Sequence, residues 1–170
     1  LPHWGFAGLS MFNDCDFLNQ DEGYLSSWYA GHLFKTVDGG ANWSEIVIDE
    51  VDGNAWISDD YRSVAFPSQD FVLVSHEDGL LKTLDAGDTW SEIIPESMSI
   101  NFYPESVIVL SNDNYLLVSR GNNPSVASPR IYETSDGGAN WTASANTVER
   151  IRDVACNTSY CITVGSNGTV

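Results

Sequence analysis

Three stretches of this chain share one pattern, and no other feature restricts its fold as much. Leu33-Phe34-Lys35-Thr36-Val37-Asp38-Gly39-Gly40-Ala41-Asn42-Trp43-Ser44-Glu45-Ile46 aligns without gaps with Leu80-Leu81-Lys82-Thr83-Leu84-Asp85-Ala86-Gly87-Asp88-Thr89-Trp90-Ser91-Glu92-Ile93. Both align with Ile131-Tyr132-Glu133-Thr134-Ser135-Asp136-Gly137-Gly138-Ala139-Asn140-Trp141-Thr142. The common core is Thr-x-Asp-x-Gly-x-(Asn/Thr)-Trp, carried by Thr36, Asp38, Gly40 and Trp43, then Thr83, Asp85, Gly87 and Trp90, then Thr134, Asp136, Gly138 and Trp141. Its aspartates recur after 47 and 51 residues. A unit of that size cannot bury its apolar face alone, so successive copies must stack on one another.

The residue types explain what each copy does. Strand-like apolar residues flank the core on both sides, which makes it a hairpin turn. An Asp at the start of a turn accepts hydrogen bonds from backbone N–H groups ahead of it, and the Thr adds a local bond. Gly40, Gly87 and Gly138 supply positive φ where the chain reverses. The Trp begins the returning strand and is placed to pack between neighbouring units. Each core therefore reads as a self-closed turn that fixes hairpin register.

Repeats of this length with four strands each specify an all-β fold, a β-propeller of four-stranded antiparallel blades, with about three and a half blades present. The reading treats residues 1–170 as a single partial propeller. Blade one covers about 9–48, blade two about 60–95, blade three about 103–145, and a partial blade four about 149–170. Strands are expected near 11–18, 22–29, 31–37 and 41–48; near 61–66, 70–76, 79–84 and 88–94; and near 104–110, 114–119, 130–135 and 139–144. Val72/Val74 and Ile108/Leu110 alternate as buried strands do. Gly121 to Pro129 reads as a loop. In the fourth unit, Ile151–Cys156 and Tyr160–Gly165 match the first two strands, and Gly168-Thr169-Val170 matches the start of the third. Leu1-Pro2-His3-Trp4-Gly5-Phe6 matches the last strand of a preceding blade. A sheet cut in mid-strand leaves an unpaired edge, so the expectation is a piece of a longer protein. The alternative is a ring made by two copies, about seven blades in all.

The octapeptide resembles the Asp-box, or BNR repeat, of sialidases, xyloglucan-degrading glycosidases, sortilin-type receptors and the photosystem II assembly-factor family. The fuller phrase, from Phe17-Leu18-Asn19-Gln20-Asp21-Glu22-Gly23-Tyr24 through Trp43, is most similar to the assembly-factor group and its secreted bacterial relatives. The resemblance implies a propeller and a chaperone-like protein partner. It transfers no catalytic activity, because the motif is structural in all these families.

Charge and composition exclude several functions. The chain holds 24 Asp plus Glu against 7 Lys plus Arg, for a net charge of −17. Nucleic acid and anionic lipid both call for a basic face. No apolar run approaches the ~18 residues that a membrane-spanning helix needs. The chain begins at Leu1 without a charged n-region and apolar h-region, so any signal peptide is expected to have been removed or to lie outside this sequence. Cys156 and Cys161 fall on two strands around a short turn and form a candidate disulfide, which suggests a secreted, periplasmic or cell-surface setting. Cys15 reads as a small buried hydrophobe. No Cys/His set has zinc spacing, so no metal or cofactor is expected.

Candidate catalytic groups are thin. Arg62, Arg120, Arg130, Arg150 and Arg152 do not form the arginine triad that the sialidase resemblance would require. Arg150 and Arg152 lie two apart and are read as one face of a strand. Asp14 and Asp153 occupy equivalent places on inner strands, with Asp16 and Asp60 nearby, and are the candidate pair for a glycosidase. Asp49-Glu50-Val51-Asp52-Gly53-Asn54 has calcium-type ligands but lacks the bidentate Glu, and reads as a loop between blades. His3, His32 and His76 are scattered. Asn42, Asn140, Asn157 and Asn167 begin sequons. The reading is a non-catalytic extracytoplasmic propeller that binds or scaffolds a protein or glycan partner, more an interaction module than an enzyme. The alternative is part of a carbohydrate-active enzyme with catalytic residues partly outside this piece.

Overall fold

A computed structural model describes residues 11–28, 31–55, 60–77, 79–93, 103–119, 128–147, 150–157 and 159–166. Three antiparallel four-stranded sheets follow one another along the chain. The first is β1 (Phe12–Phe17), β2 (Gly23–Ser27), β3 (Leu33–Thr36) and β4 (Ser44–Ile46), hydrogen-bonded in that order. A small hairpin, β5 (Glu50–Val51) and β6 (Asn54–Ala55), precedes the second sheet of β7 (Ser63–Ala65), β8 (Val72–Ser75), β9 (Leu80–Thr83) and β10 (Ser91–Ile93). The third is β11 (Pro104–Val109), β12 (Tyr115–Ser119), β13 (Ser128–Thr134) and β14 (Thr142–Thr147). β15 (Ile151–Cys156) and β16 (Cys161–Gly165) form a two-stranded fourth sheet. This is the propeller of about three and a half blades that the repeat specifies.

Blades two and three are covered on both faces, and their strands show it. Val72 and Val74 sit in one apolar cluster with Tyr24, Leu33, Tyr61, Phe66, Leu81 and Trp90, between blades one and two. Phe71 and Leu73 turn the other way, into a second cluster with Leu80, Val107, Tyr115, Leu117 and Tyr132 between blades two and three. A third cluster joins Leu116 and Val118 to Ile151 and Val154. Phe71 to Val74 is therefore a continuous apolar run with both faces buried, as in sheets sandwiched between layers. Truncating a fully buried residue such as Leu73 to Ala costs about 2–5 kcal/mol, from lost transfer energy plus the cavity left behind.

The structure corrects four details of the sequence reading. Cys15 is exposed. Leu110 is also exposed, because the β11–β12 ladder ends at the Val109–Tyr115 pair and Leu110 enters the turn. Residues 50–55 form a hairpin rather than a plain loop, with Asp52 at φ 50° and Gly53 at φ 75° as its two turn residues. Arg150 precedes β15, and the register shifts between Ile151 and Asp153, so Arg150 and Arg152 do not share a regular strand face. The readings on residues 1–6 and 167–170, and on most of the 121–129 loop, lie outside the described residues.

Candidate functional site

The box turns repeat atom by atom. In the first, Thr36 Oγ1 donates to Asp38 Oδ1 at 2.9 Å and accepts from the Gly40 amide at 2.9 Å. Asp38 also accepts from the Asn42 backbone N–H at 2.8 Å and from Asn42 Nδ2 at 2.7 Å. The second box reproduces this with Thr83, Asp85, Gly87 and Thr89, the Thr89 hydroxyl replacing the Asn amide at 2.5 Å from Asp85 Oδ2. The third uses Thr134, Asp136, Gly138 and Asn140. These donors favour the ionised carboxylates: the Asn42 side chain first and then its backbone amide hold Asp38 below the usual range, while the Thr89 hydroxyl leads in drawing Asp85 down to about 2. The Trp90 and Trp141 indole N–H groups close onto the carbonyls of Gly87 and Gly138, at 3.1 and 3.0 Å. Trp90 is buried, whereas Trp43 and Trp141 are half-buried.

Each box is pinned to the turn between the first two strands of its own blade. The amides of Gly39, Ala86 and Gly137 donate to the carbonyls of Asp21, Asp70 and Asp113, at 2.8, 2.9 and 2.9 Å. These bonds hold each box turn and its neighbouring inner turn together at one end of the half-ring. Because Nδ2 of Asn42 and of Asn140 is engaged in its box, these two sequon amides serve the turn. Asn157 instead accepts from Ser159 and Tyr160 in the β15–β16 turn. Cys156 and Cys161 are a cross-strand pair in that hairpin, joined by a disulfide with Cα atoms 4.0 Å apart.

The inner strands supply the carboxylates that a glycosidase would use. Asp14, Asp16 and Asp153 line a shared cavity of about 270 Å³ together with Val64, Ser106 and Val107. All three accept hydrogen bonds. Asp14 Oδ2 takes the Ser63 hydroxyl at 2.7 Å and the Val64 amide at 3.2 Å, while Oδ1 takes the Cys15 amide at 2.9 Å. Asp16 Oδ2 takes the Phe66 amide at 2.7 Å. Asp153 Oδ1 takes the Ser106 hydroxyl at 2.9 Å and its neighbour Val154's amide at 2.8 Å. Asp14, Ser63, Ser106 and Asp153 hold the same position in successive inner strands, so these bonds fasten adjacent blades. Burial is the leading reason that the Asp14 carboxyl titrates above its ordinary value; its hydrogen bonds oppose the rise, and Asp153 adds to it. Asp60 lies elsewhere, beside Arg62 and Glu77. Arg62 is nearly buried and reaches Glu105 at 3.5 Å. Sequence reasoning missed these inter-blade bonds, though aligning the inner strands places all four residues in one column.

The remaining candidates do not converge. Among the described residues no cluster of three or more His, Cys, Asp or Glu side chains is placed to hold a metal ion. In the acidic stretch Asp49–Asn54, Asp52 instead caps the second blade: its N–H donates to the Trp90 carbonyl at 3.1 Å, and its Oδ2 accepts from the Glu92 amide at 2.9 Å. His76 is fully buried, and burial draws its imidazole down to about 4.

The arrangement has relatives of known structure. A structure of YCF48 bound to D1 peptide superposes with a TM-score of 0.69 at 24% identity, over 92% of this chain and 48% of that one. YCF48 from Cyanidioschyzon merolae superposes with a TM-score of 0.71 at 24% identity, over 94% of this chain and 51% of that one. This chain thus spans about half the length of those structures. The GH74 xyloglucanase from Xanthomonas campestris is more distant, with a TM-score of 0.58 at 14% identity over 83% of this chain and 24% of that one. Among curated proteins none matches. The family described as photosynthesis system II assembly factor YCF48 matches residues 6–170, and the chain belongs to that family.

Proposed function

We propose that this chain is a non-catalytic, extracytoplasmic propeller module that engages a protein partner in the manner of an assembly factor. The observation that carries the reading is the engagement of Asp14 and Asp153. Glycoside hydrolysis needs one carboxyl free to give a proton and another to act on water or on the sugar. Here the inner-strand carboxylates accept hydrogen bonds that tie blade to blade. Family membership adds weight, as does the relative bound to a D1 peptide. The disulfide supports an oxidising compartment.

The test pairs binding with activity. A D1 peptide titrated calorimetrically into the chain is expected to saturate, and xyloglucan is expected to stay intact on prolonged incubation. Turnover of xyloglucan that disappears in Asp14→Asn and in Asp153→Asn would overturn the reading in favour of a glycosidase.

A further inference from the structure

The box turns mark one end of the half-ring. Innermost strands run from one end towards the turns that carry Asp21, Asp70 and Asp113, and the third strands run towards the boxes at that same end. Arg62, Arg150 and Arg152 all stand at the beginning of inner strands, away from the boxes. There Arg62 pairs with Glu105 and has Asp60 nearby, itself close to Glu77, so that far end holds carboxylates of its own.

The box end presents aliphatic side chains beside carboxylates. Val37 and Leu84, the residues between Thr and Asp in the first two boxes, are 66% and 65% exposed. Single exposed aliphatics are ordinary, but these recur at the same place in successive blades. Leu84 borders a groove of about 400 Å³ between the second box and the third blade, whose carboxylates come from Asp70, Asp113 and Asp136. Val37 borders a shallow depression formed by the first blade alone, with Asp21 and Glu22. The one cation in the Leu84 groove, Lys82, is held against the Gly137 carbonyl at 3.0 Å. A partner meeting this end therefore finds aliphatic contacts set among carboxylates that outnumber the cations beside them.

We infer that the box end docks an extended protein segment in which lysines or arginines alternate with aliphatic side chains. Complementary charge sets approach and orientation, and burial of the aliphatics against Leu84 and Val37 supplies short-range affinity. The inference rests on the protein-binding reading and names the chemistry of the partner.

A short synthetic peptide of lysine and leucine tests it, with lysine–serine and glutamate–leucine peptides of equal length beside it. Amide chemical shifts of the unaltered chain are expected to move in the turns of Leu84, Asp70 and Asp113 with the lysine–leucine peptide. The affinity is expected to fall as salt rises. Asp70→Asn combined with Asp113→Asn, and separately Leu84→Ser, are each expected to weaken it about fivefold or more. Glu77→Gln at the far end is expected to leave it unchanged. Equal binding of the lysine–leucine and lysine–serine peptides, or shifts centred on the far end, would overturn the inference. Such a failure leaves the protein-binding reading intact where the D1 peptide still saturates, whereas xyloglucan turnover removes the reading itself.

Discussion

The Ser63 hydroxyl donates to Asp14 Oδ2 across 2.7 Å, and its oxygen accepts the Val107 amide at 3.3 Å. One small side chain in the second blade therefore joins the blades on either side. Ser63→Ala takes one of two donors from the half-buried Asp14 Oδ2 and the Oγ acceptor from the buried Val107 amide, an expected cost of about 1–3 kcal/mol. Urea unfolding of Ser63→Ala, Asp14→Ala and the double variant should give a coupling energy of about 0.5 kcal/mol or more. Strict additivity would show that the bond does not hold the blades together.

Ala86 occupies the box position that is Gly39 and Gly137 in the other two copies, and it adopts φ 61°. A side chain in that left-handed region costs roughly 1–2 kcal/mol, partly offset by the extra freedom glycine has in the unfolded chain. Ala86→Gly is therefore expected to raise the urea midpoint, by a net of about 0.5–1 kcal/mol. The opposite change is expected at Gly138, where φ is 95° and a Cβ would sit 2.9 Å from Ile93 Cδ1. Gly138→Ala should lower the midpoint, and an unchanged midpoint in both variants would refute the argument from backbone strain.

The second box gives an acid limit. The folded value of Asp85, about 2, lies below the ordinary 3.8, so the unfolded chain binds the proton first. Stability from this group is full above pH 4 or so and is lost as pH falls towards 2. Melting followed by circular dichroism across that window should show a shallower decline in Asp85→Asn than in the unaltered chain.

His76 acts in a higher window. Its folded value near 4 lies below the ordinary 6.5, so between these pH values the unfolded chain takes the proton and stability falls with pH. The limiting slope is about 1.4 kcal/mol per pH unit. A His76→Gln chain should be less stable at neutral pH but should lose this slope between pH 6.5 and 4. Parallel curves for the two proteins would place the acid sensitivity elsewhere.

The blades were legible because each box announces a turn, and a turn with apolar residues on both sides fixes two strands at once. Trp90 and Leu81, for instance, fall where the box pattern places them. Cys15 was misjudged because an inner strand lines a cavity, and apolar character alone does not tell a core position from a lining one. The β5–β6 hairpin had a local sign, the Asp52-Gly53 pair, which favours a tight two-residue turn. Its two-residue strands were too short for periodicity to mark. The inter-blade bonds of Asp14 and Asp153 join residues 49 and 47 positions apart, so they emerge only when the repeats are laid in register.

That small hairpin has one more consequence. The outermost strand of a sheet offers a ladder of backbone groups to any passing chain, and Asp52 occupies two consecutive rungs of the second blade, the Trp90 carbonyl and the Glu92 amide. A stray strand seeking to extend that sheet into an aggregate would first have to dislodge a charged side chain and the turn that carries it.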